Sequence, residues 1–209
     1  VATDDLIVYL NYLRSCQNLR HLLYAKPLAR QLLTSRAVFL DTETTGLGEV
    51  DQIVEIAVVD GVGTTVLGTL IKPTIPIPSD ATAIHGITQH DVAGAPSFSD
   101  VLLELKAAIR NRAIVIYNAD YDVRMLKQTA RAHKLIFDVG PSVHCAMQLY
   151  AEFRGEWDGS RGNFRWHKLE VAAMQCGIVI PRNLHRASVD AELTRQIIMF
   201  IAASNQHKL

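Results

Sequence analysis

Three apolar segments separated by short connections most strongly restrict what this chain can fold into. They span residues 37–42, 52–60 and 64–73, and the glycine turn GVG at 61–63 joins the second to the third. Segments of this length that are rich in valine, isoleucine and threonine and bounded by glycine are typical of strands. Because such short turns join neighbouring antiparallel strands, we expect an antiparallel meander over residues 37–73.

Helical periodicity alternates with strand-like segments in the rest of the chain. After a proline-rich loop at 72–80, residues 97–111 place apolar side chains on one face, and the apolar segment AIVIY follows at 113–117. We further expect helices at 120–133, 146–153, 167–177 and 187–203, and a weak strand at 142–145. Three strands followed by alternating helices and strands predict an α/β domain with a mixed sheet.

The first 36 residues carry helical periodicity but no chemical motif. Leucines recur at helical spacing on both sides of Pro27, which is expected to interrupt the helix. We therefore divide the chain into an N-terminal helical extension, residues 1–36, that packs on one domain, residues 37–209.

The composition restricts the class of partner and the compartment. Lysine plus arginine and aspartate plus glutamate number 21 each, so the formal net charge is zero. Because proteins that coat long nucleic acids usually carry a basic excess, we expect a local contact, such as a pocket for a chain end. Cys16, Cys145 and Cys176 lack metal-ligand spacing, which argues against a zinc site or disulfide framework. With no membrane-length apolar run and no signal-peptide pattern, we expect a cytoplasmic protein that does not bind membranes.

Two carboxylates end the first predicted strand, in the segment FLDTETTGLG from Phe39 to Gly48. Residues two apart on a strand point the same way, so Asp41 and Glu43 should share a face. Two carboxylates held together repel, and a bound cation removes the conflict; oxygen ligands suit Mg²⁺ or Mn²⁺. Taken alone, a D-x-E motif at a strand end is more often a solvated turn.

Further acidic residues follow the strand at 113–117, in the segment YNADYD that ends at Asp122. Ligands gather beyond the carboxyl ends of strands in α/β sheets, so this loop meets Asp41 and Glu43 if the two strands are parallel neighbours. Asp120 and Asp122 lie about 200° apart around a helix, so only one of them faces such a site.

The third group is the segment LHRASVDAELT at 184–194, which contains His185 and Asp190. Five residues on one helix rotate by about 500°, so the pair converges only if His185 lies in the loop before the helix. A loop histidine suits a proton carrier. The alternative is a surface histidine beside an aspartate that stabilises the helix N-terminus.

Together, five segments resemble the DEDDh, or DnaQ-like, 3′→5′ exonuclease family, which includes the proofreading epsilon subunit of bacterial DNA polymerase III. The segments are FLDTETTGL at 39–47, AIHGIT at 83–88, YNADYD at 117–122, HKLEVAAMQCGI at 167–178 and HRASVDAELT at 185–194. The resemblance spans roughly residues 37–200. It implies a ribonuclease H-like fold, a mixed five-stranded sheet flanked by helices. It also implies metal-dependent release of nucleoside 5′-monophosphates from the 3′ end of single-stranded DNA, in proofreading or repair.

The resemblance also assigns roles to individual residues. The family metal ligands, for two Mg²⁺ or Mn²⁺ ions, fall on Asp41, Glu43, Asp122 and Asp190, and the general base falls on His185. Tyr117 stands where the family often has histidine, so a contact near the scissile phosphate is expected to differ. The segment SVHCAM lacks a carboxylate that is common there in the family, with little expected effect.

Substrate contacts are expected around the first motif. The residues assigned to substrate binding are Thr44, Thr45, Gly46, Leu47, His85 and Tyr121. Backbone N–H groups of 44–46 would meet the 3′-hydroxyl, Leu47 would wedge against the last base, and His85 would contact the terminal nucleotide. Tyr121 either stacks on a base or packs the helix start. The arginine-containing stretch 153–168 is either a substrate contact or a solvated loop.

Three functional hypotheses remain open from the sequence. The first is a DNA exonuclease with the 3′ end of single-stranded DNA as its partner. The second is an exoribonuclease of the same family, since only the treatment of the 2′-hydroxyl separates the two. The third is a non-catalytic module that recruits a DNA polymerase, which the complete set of carboxylates disfavours.

Overall fold

A computed structural model describes residues 21–204 of this protein. The helix expected before residue 21, and the chain beyond residue 204, lie outside the described residues. Within the described part, no helix is both long and apolar enough to cross a bilayer.

A five-stranded mixed sheet forms the centre of the molecule. Its strands are β1 (Val38–Thr44), β2 (Ile53–Asp60), β3 (Thr65–Leu70), β4 (Ile114–Ile116) and β5 (Val143–Cys145), in the spatial order β3-β2-β1-β4-β5. The first three strands pair antiparallel, as expected for a meander. β4 pairs parallel with both β1 and β5. The predicted mixed sheet, including the weak strand near 142–145, is therefore confirmed.

Helices cover both faces of this sheet. They are α1 (Lys26–Thr34), α2 (Ser79–His85), α3 (Phe98–Ile109), α4 (Ala119–Ala132), α5 (Ala146–Arg154), α6 (Leu169–Gln175) and α7 (Ala187–Ala203). A π-helical turn, His21–Ala25, precedes α1. A small hairpin of β6 (Trp157–Asp158) and β7 (Asn163–Phe164) follows α5. Neither α2 nor this hairpin was predicted, because α2 begins inside the proline-rich loop at 72–80 and two-residue strands are too short to show a period.

The strict alternation of β1 divides the core into two layers. Phe39 packs with residues of α1, α5 and α7, whereas Val38 and Leu40 pack with residues of α3 and α4. Successive side chains of a strand point to opposite faces. One face of β1 is therefore the α7 face and the other is the α4 face, and this decides where each polar side chain at the end of the strand can point.

The described part of the predicted extension packs on the domain. Ala29 and Leu32 of α1 are buried in the same cluster as Ile197 and Ile201 of α7. Two polar bonds close the far end of this contact, because Lys26 Nζ donates to the carbonyl of residue 204 at 2.5 Å and Arg30 Nε donates to that of residue 202 at 3.0 Å. α1 thus completes the core on the α7 face.

Candidate active site

The end of β1 sends its polar side chains to both faces of the sheet. Asp41 and Glu43 share the face of Phe39 and point toward α7, while Thr42 points toward α4. Glu43 is only 9% exposed and Asp41 is partly buried. The two carboxylates therefore share one face of the strand, as their spacing predicted, and both are largely shielded from solvent.

Asp122 reaches the same place from α4. This helix begins just beyond β4, after Asn118 in a left-handed conformation (φ 73°), and Asp122 lies in its first turn. The Thr42 hydroxyl donates a hydrogen bond of 2.7 Å to Asp122 Oδ1, and Asp122 is 5% exposed. Asp120 is exposed. Asp122, the aspartate to which the family resemblance assigns a metal ligand, is thus the one of the two that turns inward.

His185 and Asp190 converge as a loop residue and a first-turn residue. His185 has a left-handed backbone (φ 64°) immediately before α7, and Asp190 is buried in the first turn of that helix. The His185 N–H donates to Asp190 Oδ1 at 3.4 Å, and Nδ1 lies 3.9 Å from Oδ2. Possible ligand atoms of Glu43, His185 and Asp190 all lie within 4.8 Å of one another.

The carboxylates perturb one another strongly. Burial, reinforced by the negative charge of neighbouring carboxylates such as Asp190, raises the pKa of Glu43 to about 8. Burial likewise raises the pKa of Asp122 to about 7 and that of Asp190 to about 6. The pKa of Asp41 is raised well above its ordinary value by burial and by Asp122, Asp190, Glu43 and Glu55.

Such a donor set fits divalent cations. Several carboxylates share a buried place that is unfavourable for their charges, and a metal ion would offset that repulsion. Carboxylate oxygens are hard ligands of the kind that Mg²⁺ and Mn²⁺ take. The residues present therefore suit the metal dependence that the sequence implies.

A cavity of about 550 Å³ opens beside Glu43. Five of the predicted substrate residues, Thr44, Gly46, Leu47, His85 and Tyr121, line it. Leu47 is 79% exposed, and Ile84 of α2, which the sequence reading did not single out, also lines the cavity and is 60% exposed. The lining of the cavity thus combines the Glu43 carboxylate with two exposed apolar side chains, Leu47 and Ile84.

The structure does not bring Thr45 into this cavity. Its hydroxyl donates to Asp51 at 2.6 Å and its N–H donates to the Gln52 carbonyl at 2.8 Å. Thr45 is 1% exposed. The expected meeting of its N–H with a 3′-hydroxyl is therefore not supported, since the group already bonds to Gln52 just before β2 and Thr45 serves to shape the turn.

His85 and Tyr121 are held by hydrogen bonds. The buried His85 ring lies 3.2 Å from the Thr44 carbonyl through Nε2 and accepts the Ile87 N–H at Nδ1, while burial lowers its pKa. The Tyr121 hydroxyl donates to the Gly46 carbonyl at 3.1 Å and lies 2.6 Å from the Thr44 hydroxyl. Both rings therefore fix the turn after β1, besides lining the cavity.

The β6–β7 hairpin carries both tryptophans of the chain at its ends. Trp157 and Trp166 are each 49% exposed. Within the hairpin segment, Arg154 pairs with Glu156 at 2.6 Å, which uses part of the positive charge noted in the sequence. The Tyr117 hydroxyl, at the end of β4, donates to the His167 carbonyl at 2.9 Å and ties this segment to the sheet.

The geometry agrees with comparisons to known proteins. The family model described as Exonuclease (RNase_T) matches residues 38–198, most of the chain. The chain belongs to the Exonuclease family. This exonuclease is 44% identical over 179 residues to "Uncharacterized exonuclease CP81" of Escherichia phage 186, covering 83% of this chain and 92% of that protein.

Polymerase subunits and solved nucleases are also similar to this exonuclease. It is 37% identical over 105 residues to DNA polymerase III subunit epsilon of Buchnera aphidicola. The match covers 46% of this chain and 45% of that subunit. The structure of Exonuclease X in complex with 5′ overhanging duplex DNA superposes with a TM-score of 0.59 at 28% identity, covering 79% and 90% of the two chains. The nuclease domain of 3′hExo, a DEDDh family member, superposes with a TM-score of 0.64 at 17% identity. The match covers 78% of this chain and 89% of that domain. The predicted ribonuclease H-like fold is confirmed.

Sequence reasoning missed two charged residues of this exonuclease that lie beside the site. Glu55 lies directly opposite Glu43 in the antiparallel pairing of β1 with β2, and it is 8% exposed. Arg186 follows His185 and forms an ion pair with Glu55. A signal was present, because Glu55 is the one charged residue inside the apolar segment QIVEIAVV. A buried charge at that position requires a partner.

Proposed function

We propose that this exonuclease removes nucleotides from the 3′ end of single-stranded DNA in a metal-dependent reaction and releases nucleoside 5′-monophosphates. The observation that carries the proposal is the convergence of Glu43, His185 and Asp190 within 4.8 Å beside a cavity. Asp41 and Asp122 complete the set, since the nearby charges of Asp122, Asp190 and Glu43 all help to raise the pKa of Asp41.

Asp41, Glu43, Asp122 and Asp190 would hold two Mg²⁺ or Mn²⁺ ions, which when bound would stabilise the charge on the attacked phosphate and the leaving oxygen. The neutral imidazole of His185 accepts the proton of the attacking water. Its side chain is 47% exposed, so it can pass that proton to solvent. Asp190 Oδ2 lies 3.9 Å from Nδ1 of this ring.

The cavity beside Glu43 would receive the terminal nucleotide. Leu47 and Ile84 are exposed at its mouth and offer apolar surface to a base. Thr44 and Gly46 lie on its wall, where Tyr121 and His85 fix the turn that carries them. A pocket for one chain end, without a basic groove, suits a chain with a formal net charge of zero.

Removal of mismatched 3′ ends is the proposed biological use. The similarity to polymerase III epsilon subunits supports it, together with a DNA polymerase as partner. Primers with a terminal mismatch should then be shortened faster than fully paired primers, because a frayed end enters a single-strand pocket more easily. Equal rates on the two primers would argue against a proofreading role while leaving the nuclease activity intact.

Product length on matched oligonucleotides tests the activity. DNA labelled at its 5′ end should shorten progressively with Mg²⁺ and remain intact with a chelator. RNA of the same sequence forms the second arm, and preferential shortening of RNA would assign the enzyme to RNA 3′ ends. If neither strand is shortened with Mg²⁺ or Mn²⁺, the proposed activity is wrong.

A further inference from the structure

Glu55 is a buried carboxylate that the proposed reaction does not use. It lies on β2 directly opposite Glu43, and it is 8% exposed. Paired residues of antiparallel strands share a face, so Glu55 points toward α7 and away from α4. Its partners there are the side chain of Arg186 and the backbone of Ala187.

Glu55 holds these two partners through both carboxylate oxygens. Arg186 Nε donates to Oε2 at 3.0 Å and Nη2 donates to Oε1 at 2.6 Å, which is a forked, two-bond ion pair. The N–H of Ala187, the first residue of α7, donates to Oε2 at 2.9 Å. Charged, two-bond pairs of this kind fix orientation as well as distance. The first N–H groups of a helix have no partner within the helix, so the carboxylate also caps α7.

Glu55 and Arg186 together fix the backbone directly after His185. Arg186 adopts an extended backbone, whereas His185 has a positive φ of 64°. A residue with a side chain rarely adopts that conformation and keeps it only where the surroundings hold it. Because Arg186 and Ala187 are both fixed to Glu55, the peptide that carries His185 cannot relax toward a more common conformation.

We propose that Glu55 and Arg186 are positioning residues that hold His185 over Glu43 and Asp190. This inference rests on the proposed function, since it assigns the pair a role through the general base of that reaction. The ion pair sets the place of the imidazole and touches no substrate. The competing explanation is that the pair only anchors α7 and supports the fold.

A double-mutant cycle separates the two explanations. Glu55→Gln should lower kcat about tenfold with KM nearly unchanged, because the ring loses its place while the cavity remains. In a His185→Ala background the same substitution should have almost no further effect on kcat, because its target is already gone. An equal loss in both backgrounds would overturn the proposal, and it would show that Glu55 acts through the nearby carboxylates.

A matched ion pair on the same helix supplies the control. Arg195 forms a forked pair with Glu192 on α7, with both bonds at 2.7 Å, and Glu192 is not a predicted site residue. Arg195→Ala should leave kcat unchanged, whereas Arg186→Ala should match Glu55→Gln. Arg186→Lys keeps the charge but loses the fork, so only partial recovery is expected. Full recovery by lysine would contradict the requirement for a fixed geometry.

Hydrogen exchange gives a readout that does not depend on activity. In Glu55→Gln, the amides of residues 185–187 should exchange faster, while those in the middle of α7 keep their protection. Unchanged exchange at 185–187 would overturn the proposal even in an active enzyme. If the wild type hydrolyses no nucleic acid, the proposed function fails, and the exchange data still decide whether Glu55 holds this loop. Should Glu55→Gln not fold, the half-exposed Arg186 variants carry the same comparisons.

Discussion

At the end of β1, alternate side chains reach the two faces of the sheet and meet different partners there. Asp41 and Glu43 turn to the α7 face, where Asp190 lies, and Thr42 turns to the α4 face and bonds to Asp122. The period of two in a strand made the first pairing predictable from the sequence. The choice of Asp122 over Asp120 came from the family resemblance, since helical periodicity shows only that one of the two can face the site.

Replacement of His185 tests the assignment of the general base. His185→Ala should lower kcat by roughly 10²–10⁴-fold, because no other group accepts the proton so close to Glu43 and Asp190. Binding of Mn²⁺, followed by calorimetry, should be largely retained because the carboxylates remain. The control is His144→Ala, a histidine that lines a different cavity. A near wild-type rate for His185→Ala would exclude this base.

The raised pKa values predict how the stability of the metal-free protein depends on pH. The ordinary values are 4.5 for Glu43 and 3.8 for Asp122, and the folded protein raises them to about 8 and about 7. The folded state therefore keeps protons that the unfolded chain has lost. Stability from these groups is fully present below about pH 4 and is lost as the pH rises through 7 and 8.

Thermal unfolding with a chelator should show this loss between pH 5 and pH 8. Glu43→Gln should remove the part of this loss that Glu43 contributes and raise the melting temperature at pH 8, by roughly 2–4 °C for each kcal/mol of repulsion relieved. Added Mg²⁺ should stabilise the wild type more at pH 8 than at pH 5. Glu104→Gln, on the exposed side of α3, should change neither result. A melting temperature that rises from pH 5 to pH 8 would contradict the linkage.

Among the elements, those with a clear period or a continuous apolar segment were predictable from the sequence. The three strands of the meander and the 17-residue α7 were predicted because each shows several repeats of its period. The seven-residue α2 lies partly in a proline-rich loop, and its Ile84 reached the cavity unnoticed. The bonds that hold Thr45 in the turn after β1, to Asp51 and Gln52, are shown by no local pattern in the sequence.

The β6–β7 hairpin offers a direct test of substrate contact. Because the two tryptophans of the chain, Trp157 in the hairpin and Trp166 just after it, are both half-exposed, fluorescence excited selectively at tryptophan reports on this region. Single-stranded DNA added in the presence of a chelator should quench the emission, since a base stacked on an indole contributes ~1–3 kcal/mol. Trp157→Phe and Trp166→Phe assign the signal to each ring. Unchanged emission at saturating DNA would leave the hairpin as a solvated segment.

At the scale of the whole molecule, α1 is part of the core and not an appendage. Leu32 is 2% exposed and lies in the cluster that includes Ile197 of α7. Leu32→Ala should lower the free energy of unfolding by about 2–5 kcal/mol. Leu103→Ala, at a position 79% exposed, is the matched control and should change it little. Denaturant unfolding of both variants measures the difference, and equal stability would show that α1 is dispensable.

The opposite faces from which the carboxylates come have a consequence for biosynthesis. Asp41 and Glu43 come from β1, Asp122 from α4 on one side of the sheet, and Asp190 from α7 on the other. A nascent polypeptide that has folded only as far as α4 still lacks Asp190 and His185. The proposed set of metal ligands would then be completed only when α7 docks, after the strands and the other described helices have been synthesised.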